Sequence, residues 1–185
     1  MSIFIFIWII WFLSEVFLNR IFRAGNNSSE NLDKNSLRII WITIFISITS
    51  GVLANNFIPA RILTSFPVGY IGLVLILIGM LIRFIAIRTL GRFFTVNLDI
   101  NEKHQLVRKG LYKYVRHPSY TGSLLSFLGL GISLNNWISL AVIFLPVLLV
   151  FLYRINIEEK LLLAQPGLDY KNYKRQTKRL IPLIY

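Results

Sequence analysis

The chain has 185 residues, 55% of them hydrophobic, and its mean hydropathy of +0.63 is too high for a soluble globular domain of this size, so we expect it to lie in a lipid bilayer. The absence of cysteine excludes disulfides, thiolate metal sites and cysteine nucleophiles. The net charge of +12 does not indicate nucleic acid, because the cations stand between apolar segments, and anionic lipid headgroups are the expected partner.

Three apolar segments in the first half of the chain are predicted to be membrane-spanning helices. They cover residues 3–22, 37–57 and 68–88. At about 1.5 Å per residue, each is long enough to cross a hydrocarbon core about 30 Å thick. A polar, turn-forming loop separates the first from the second, and two prolines lie between the second and the third.

Two charged residues lie within these predicted spans. We expect Glu15 to reach toward the interface near Arg20, and Arg83 to extend toward the surface that carries Arg88 and Arg92. The alternative is that Arg83 faces a buried acid such as Glu15. An ion pair at that depth would indicate a functional role.

Residues 93–116 form the longest connection outside the membrane, and they run into a dense polar segment, residues 110–122. This segment contains three tyrosines, two cations and one of the two histidines of the chain, and it leads directly into an apolar run. A long loop that ends in such a cluster indicates a functional site. The alternative is a basic turn at the headgroups, with tyrosines at the interface and Pro118 starting a helix.

Two further spans, residues 120–134 and 137–153, are joined by two asparagines only and are predicted to form an antiparallel hairpin. Of the 20 Lys and Arg residues, all but Arg61 and Arg83 fall in the first loop, the third loop or the tail. This bias predicts an N-terminus outside and a C-terminus in the cytoplasm. The predicted fold is an all-α, polytopic membrane bundle of about five helices with a cytoplasmic amphipathic tail.

The tail is predicted to begin as a helix that leaves the membrane. Arg154 and Glu158 lie four residues apart and therefore on one helical face, while Glu159 points elsewhere. A local ion pair would explain the spacing, but helix exit also places both residues level with the polar segment before the hairpin. Further on, Tyr170 and Tyr173 share a face beside cations and suit the headgroup interface.

Other chemistries are weakly represented in the sequence. Two histidines thirteen residues apart, with no cysteine, make a weak metal site, and no metal is expected. The chain lacks a glycine-rich phosphate loop, a nucleophile elbow and a dinucleotide fingerprint. Serine nucleophile chemistry would depend on Ser119 or Ser123 near His117 and is a minor alternative.

The order of these features resembles a known family. Residues 110–122, the hairpin after them, the R-x-x-x-E-E spacing that starts at Arg154 and the closing residues 179–182 resemble the isoprenylcysteine carboxyl methyltransferase family. The resemblance covers about residues 97–182 and does not extend to the first three spans. It implies an integral membrane enzyme that uses S-adenosylmethionine to methylate the carboxylate of a lipophilic or prenylated substrate.

The resemblance also implies roles for individual residues. Arg154 takes the position of the residue that orients the substrate carboxylate. The positions that it implies for cofactor binding are Asn97, His104, Gln105, Leu106, Val107, Tyr112, His117, Pro118, Ser119, Tyr120 and Glu158. Residues 93–185 would then be the catalytic region, and residues 1–92 an N-terminal three-span membrane region.

Carboxyl methylation requires no general base. The cofactor carries an activated methyl group on a sulfonium, and a carboxylate with a pKa of about 4 is already ionised at neutral pH. The protein has to align the two groups and exclude water. Three alternatives stay open: a phospholipid N-methyltransferase, which needs a base such as His117 or Glu159, an NADPH-dependent sterol-type reductase, and a non-catalytic membrane scaffold.

Overall fold

The structure is a computed structural model, and it describes residues 2–23, 31–63, 67–91, 106–165 and 169–182. The described residues form helices. These are α1 (Ser2–Arg23), α2 (Asn31–Phe57), α3 (Val68–Leu90), a 3₁₀ turn (Gly110–Lys113), α4 (Pro118–Ser133), α5 (Trp137–Ala164) and α6 (Tyr170–Gln176). The five longer helices correspond to the five predicted spans, which confirms the all-helical architecture.

The helices differ in how well their length matches a bilayer. Among the described residues, three helices are long and apolar enough to cross one: α2 from Asn35, α3 and α5. The apolar part of α1 is Ile3–Leu18, and α4 has 16 residues, or about 24 Å. The 28 residues of α5 extend about 42 Å, so this helix continues beyond a hydrocarbon core about 30 Å thick.

Large apolar side chains cover the outside of the bundle. Phe6, Phe17, Phe45 and Leu149 are each more than 60% exposed. Exposure of a continuous apolar surface of this kind to water is unfavourable, whereas lipid tails solvate it. The core between the helices contains Ile76, Phe127, Ile143, Val147 and Ile155, each almost fully buried.

Glycines let α3 and α4 pack with their backbones in direct contact. A Cβ added to Gly79 would lie 2.5 Å from the carbonyl oxygen of Gly122, and one added to Gly72 would lie 2.5 Å from that of Gly129. Gly72 and Gly79 are seven residues apart on α3, as Gly122 and Gly129 are on α4, so the same face of each helix makes both contacts. Small residues at such a contact allow close van der Waals packing inside a membrane.

We expect Gly79→Val to lower the free energy of unfolding by about 1–3 kcal/mol, because the added side chain can be accommodated only if the two backbones separate. Thermal unfolding in detergent measures the effect. Ile78→Val is the matched control, because Ile78 is the neighbouring residue and is 42% exposed toward lipid. Equal unfolding temperatures for the two variants would show that α3 and α4 do not need this contact.

The two ends of the bundle have different structures. At one end, the α2–α3 connection pairs with the α4–α5 turn: the Ile62 amide donates to the Asn135 carbonyl at 3.2 Å, and the Trp137 amide donates to the Ala60 carbonyl at 2.9 Å. This contact places both connections at the same end, as the span map predicts. The start of α4, the last turns of α5 and α6 lie together at the other end.

Candidate active site

The start of α4 and the end of α5 meet at His117. Pro118 begins α4, where its fixed φ suits a helix and its missing N–H leaves no donor unpaired. The His117 ring is turned toward α5: Nε2 donates to Oε1 of Glu159 at 3.3 Å, and Nδ1 lies 3.9 Å from Oε1 of Glu158. The polar segment and the acidic pair of α5 therefore converge, as predicted from the hairpin.

The chain that follows α6 returns to the polar segment and pairs with it. The amide of Arg116 donates to the carbonyl of Lys178 at 2.8 Å, and the amide of His117 donates to that of Arg179 at 3.1 Å. In the other direction, the amide of Lys178 donates to the carbonyl of Tyr114 at 3.0 Å. This short parallel pairing fixes the C-terminal segment against the approach to α4.

Glu159 is the centre of a charge cluster that joins these pieces. Its carboxylate lies 3.0 Å from Nε of Arg116, 3.0 Å from Nζ of Lys174 and 2.9 Å from Nη2 of Arg179, in addition to its contact with His117. The side chain is only 3% exposed. A carboxylate with this many charged donors is held in place as an anion.

The sequence predicted that Glu159 points away from the helical face of Arg154 and Glu158, but it did not predict what Glu159 contacts. Glu159 does face away from Arg154 around the helix, but the start of α4 and the C-terminal segment pack on that other side of α5. Charge balance could have identified it. Only three acids follow residue 102, against a tail rich in cations, so a buried arginine has few possible partners.

Arg154 lies deeper in the bundle than the charge cluster. It is 1% exposed, donates a hydrogen bond to the Ser36 hydroxyl on α2 and reaches the hydroxyl of Tyr120. The Tyr120 ring packs edge-on against His117, with 5.9 Å between ring centroids, and against Phe151 at 5.3 Å. Tyr120 thus bridges the imidazole and the buried guanidinium.

Three tyrosines close the site on the side away from the bundle. The Tyr173 hydroxyl donates to the carbonyl of Tyr112 at 2.7 Å. Burial, reinforced by the nearby charge of Glu158, raises the pKa of the Tyr112 phenol, and burial raises the pKa of Tyr173 to about 12. Both phenols therefore stay protonated at neutral pH. The hydroxyl of Tyr170 is buried and has no hydrogen-bond partner among the described residues.

The placement of Tyr170 and Tyr173 corrects the prediction that they suit the headgroup interface. They share one helical face as predicted, but they are 2% and 4% exposed because that face packs onto the protein. Their rings contact each other with centroids 5.9 Å apart. The 3.6-residue period alone does not distinguish a face directed at lipid from one directed at protein.

Of the remaining predicted site residues, some lie near the polar segment and others fall outside the residues that the structure describes. Leu106 and Val107 are half-buried, where the described chain resumes before the polar segment. Asn97, His104 and Gln105 lie outside the described residues. Pro118 and Ser119 are buried in the first turn of α4.

Glu15 and Arg83 form an ion pair inside the bundle. Nη2 of Arg83 lies 3.0 Å from Oε2 of Glu15, and the two side chains are 14% and 13% exposed. The expectation that each extends to the interface is wrong, and the alternative that Arg83 faces Glu15 as a buried acid is correct. The reason is that the side chains meet between α1, α3 and α4, where each charge offsets the desolvation of the other.

The fold and the site define a helical integral membrane protein with a polar, partly buried site at one end of its bundle. Comparison with known proteins identifies the class more closely. The sequence model of the isoprenylcysteine carboxyl methyltransferase family matches residues 71–164. A probable protein-S-isoprenylcysteine O-methyltransferase of Oryza sativa subsp. indica is 34% identical over an alignment of 145 positions that covers 72% of this chain and 76% of the relative.

Two further relatives agree. The protein-S-isoprenylcysteine O-methyltransferase of Schizosaccharomyces pombe is 28% identical over an alignment of 207 positions, gaps included, that covers 97% of this chain and 88% of the relative. The solved structure of the eukaryotic intramembrane Ras methyltransferase ICMT superposes with a TM-score of 0.59 at 30% identity, covering 87% of this chain and 55% of that chain. The chain belongs to the isoprenylcysteine carboxyl methyltransferase family. The match begins within α3, so it extends further toward the N-terminus than the sequence resemblance.

Proposed function

We propose that this protein transfers a methyl group from S-adenosylmethionine to the carboxylate of a lipophilic, isoprenylcysteine-like substrate. The observation that supports this most strongly is the convergence of the two hairpin ends, with Nδ1 of His117 3.9 Å from Oε1 of Glu158. Arg154 and Tyr120 lie beside this contact. The site therefore offers an acceptor for the cofactor and a donor for a carboxylate side by side.

The donor and acceptor set fits a zwitterionic nucleoside ligand. Glu158 is 25% exposed, so its carboxylate can accept from an ammonium or from ribose hydroxyls. The first turn of α4 presents the positive end of the helix dipole, which favours binding of a carboxylate. The unpartnered hydroxyl of Tyr170 offers one more polar contact. Leu106 and Val107 suit an apolar slot for the adenine ring.

When bound, S-adenosylmethionine would supply a methyl group already activated by the sulfonium. The part of the protein is to hold the acceptor carboxylate in line and to keep water away from it. Arg154 suits this task, because its guanidinium presents two parallel donors to a carboxylate and is almost fully buried. The negative charge of the carboxylate disappears as the ester forms, so a dry site favours the transfer.

The surroundings of Glu159 argue against its use as the base of an amine methyltransferase. A proton acceptor needs a free lone pair facing the substrate. The Glu159 carboxylate is instead occupied by the guanidinium groups of Arg116 and Arg179 and by the ring of His117. These contacts assign Glu159 to holding the C-terminal segment in place.

The proposal includes the arrangement in the membrane. The cation bias favours an N-terminus outside and a C-terminus in the cytoplasm, which puts the site at the cytoplasmic face. A soluble cofactor would then enter from the cytoplasm and a lipophilic acceptor from the bilayer. Residues 93–185 would carry most of the site, with contributions from Ser36 and Arg83 in the N-terminal region.

Calorimetry on the purified full chain tests the cofactor. We expect S-adenosylmethionine to bind and NADPH not to bind. Glu158→Ala is expected to weaken S-adenosylmethionine binding about tenfold or more, because a charge-assisted hydrogen bond is lost. Lys160→Ala, on an exposed residue of the same helix, is the control and is expected to bind normally. NADPH binding alone would indicate a reductase, and binding of neither compound would indicate a scaffold.

Transfer of a radiolabelled methyl group tests the acceptor. We expect label on a prenylcysteine analogue and none on phosphatidylethanolamine in the same vesicles. The labelled product should release methanol on mild alkaline hydrolysis, as an ester does and a methylated amine does not. Label on phosphatidylethanolamine would show that the protein methylates an amine, and the proposed carboxyl reaction would be wrong.

A further inference from the structure

The Glu15–Arg83 ion pair continues into a hydrogen-bond network that ends on α4. Nη1 of Arg83 donates to the hydroxyl of Ser119 at 3.1 Å and to that of Ser123 at 2.6 Å, and it lies 3.4 Å from the Ser119 carbonyl oxygen. The Ser123 hydroxyl donates to Oε1 of Glu15 at 3.4 Å. One guanidinium therefore links α1 and α3 to the first two turns of α4.

We propose that Glu15 and Arg83 are positioning residues that hold the first turn of α4 in the geometry needed for cofactor binding. The inference rests on the proposed function, because Ser119 lies between His117 and Tyr120 in the segment assigned to the cofactor. Glu15 fixes the guanidinium, and the guanidinium in turn fixes the backbone and hydroxyl of Ser119.

Helix packing alone does not require this ion pair. The backbones of α3 and α4 already touch through Gly79 and Gly122, next to the network. Two charges inside a membrane-spanning bundle are costly to desolvate, and an apolar pair of similar size would hold the helices together as well. The planar guanidinium adds direction, since it aims several donors at fixed angles at one turn of α4.

The location of the pair links it to the site. The Arg83 guanidinium contacts Ser119, which lies between Pro118 and Tyr120 in the segment proposed to bind the cofactor. Glu15, on α1, lies outside the range matched by the family, residues 71–164. The pair therefore gives the first helix of this chain a role in the site.

A double variant separates positioning from folding. Arg83→Met alone leaves the Glu15 carboxylate buried without its partner and is expected to destabilise the protein. The combination Glu15→Gln with Arg83→Met leaves no buried charge, so its unfolding temperature in detergent should be close to that of wild type. We nevertheless expect its dissociation constant for S-adenosylmethionine to rise about tenfold, because Ser119 has lost its charged donor.

Hydrogen exchange read by mass spectrometry gives a second readout that needs no cofactor. In the double variant, amides of the peptide that contains residues 118–122 should exchange about tenfold faster than in wild type, while those of α2 stay unchanged. Arg88→Met, the same substitution on an exposed residue of α3, is the control and should leave affinity and exchange unaltered.

A double variant with wild-type affinity and wild-type exchange at residues 118–122 would overturn the inference. If the double variant does not fold, Arg83→Lys decides the question, because lysine keeps the charge opposite Glu15 but loses the fork that reaches Ser119. Normal affinity and exchange in that variant would also overturn it. If wild type itself binds no S-adenosylmethionine, the proposed function fails, and the exchange rates alone still test the positioning.

Discussion

Arg154→Met is expected to reduce kcat/KM for the prenylcysteine acceptor about 10²- to 10³-fold while the dissociation constant for S-adenosylmethionine changes less than about threefold. Methionine fills most of the volume of the arginine stem and suits the apolar surroundings, so α5 should keep its packing. The variant removes the forked donor that we propose to hold the acceptor carboxylate in line, and the resulting misalignment should lower the rate of transfer. Steady-state kinetics with both substrates varied, together with calorimetry, measure the two constants separately.

Two further variants refine the Arg154 result. Arg154→Lys keeps a positive charge but has no fork, and its kcat/KM should lie between those of wild type and Arg154→Met. Ser36→Ala removes the α2 partner of the guanidinium and reports how much orientation that hydrogen bond supplies. Arg61→Met, at the other end of the bundle, is the control. If Arg154→Met weakened the cofactor and left the acceptor kinetics unchanged, Arg154 would belong to the cofactor pocket.

The helices of this protein could be predicted because membrane insertion imposes a simple pattern. Backbone groups cannot remain unpaired in lipid, so each long apolar run has to be a helix. The spans that begin at residues 68 and 137 were predicted with the same first residue that the structure gives to α3 and α5. The continuation of α5 beyond its predicted span was also expected, because the tail was predicted to begin as a helix that leaves the membrane, and the structure continues that helix to Ala164.

The site could be predicted only where the short hairpin turn brings its residues together. The two-residue turn of the hairpin forces its ends together, so the convergence of His117 with Glu158 followed from topology. The partners of Arg83 and Glu159 come from distant parts of the chain, Glu15 and Arg179 among them. Neither pairing leaves a local pattern, because a side chain at one helical position can face lipid, protein or solvent.

The hydrophobicity of α3 also does not show which neighbouring helix its glycines contact. Gly72 and Gly79 are small residues that permit close helix contact, but their spacing follows no dimer motif and the sequence does not show which helix they meet. The structure assigns them to α4, through Gly122 and Gly129. This contact brings Arg83 within hydrogen-bonding distance of Ser119, so the packing of two helices determines which charged side chain meets the first turn of α4.

Glu159→Gln is expected to lower the free energy of unfolding by about 3–5 kcal/mol, the usual effect of removing one partner from a buried ion pair. Glutamine has nearly the same shape as glutamate, so the decrease in stability would come from the lost charge and not from a change in volume. It leaves Arg116 and Arg179 facing each other without the anion between them. Lys174 is 39% exposed, and water screens its share of the effect.

The first consequence of that substitution should be local. The C-terminal segment is held at the start of α4 by backbone hydrogen bonds, by the side chains of Arg116 and Thr121, which donate to its carbonyls, and by this carboxylate. Because Glu159 supplies the only charge among these contacts that balances Arg116 and Arg179 in the described residues, its loss should loosen the segment before the bundle unfolds. Trypsin should then cleave after Lys174 and Lys178 under conditions in which wild type resists, and methyl transfer should fall with the intact fraction. Arg175→Gln, on an exposed residue of α6, is the control and should resist as wild type does. A Glu159→Gln variant that is as stable and as resistant as wild type would mean that the remaining hydrogen bonds hold the segment without the carboxylate, and that the cations around Glu159 are stabilised by water or lipid instead.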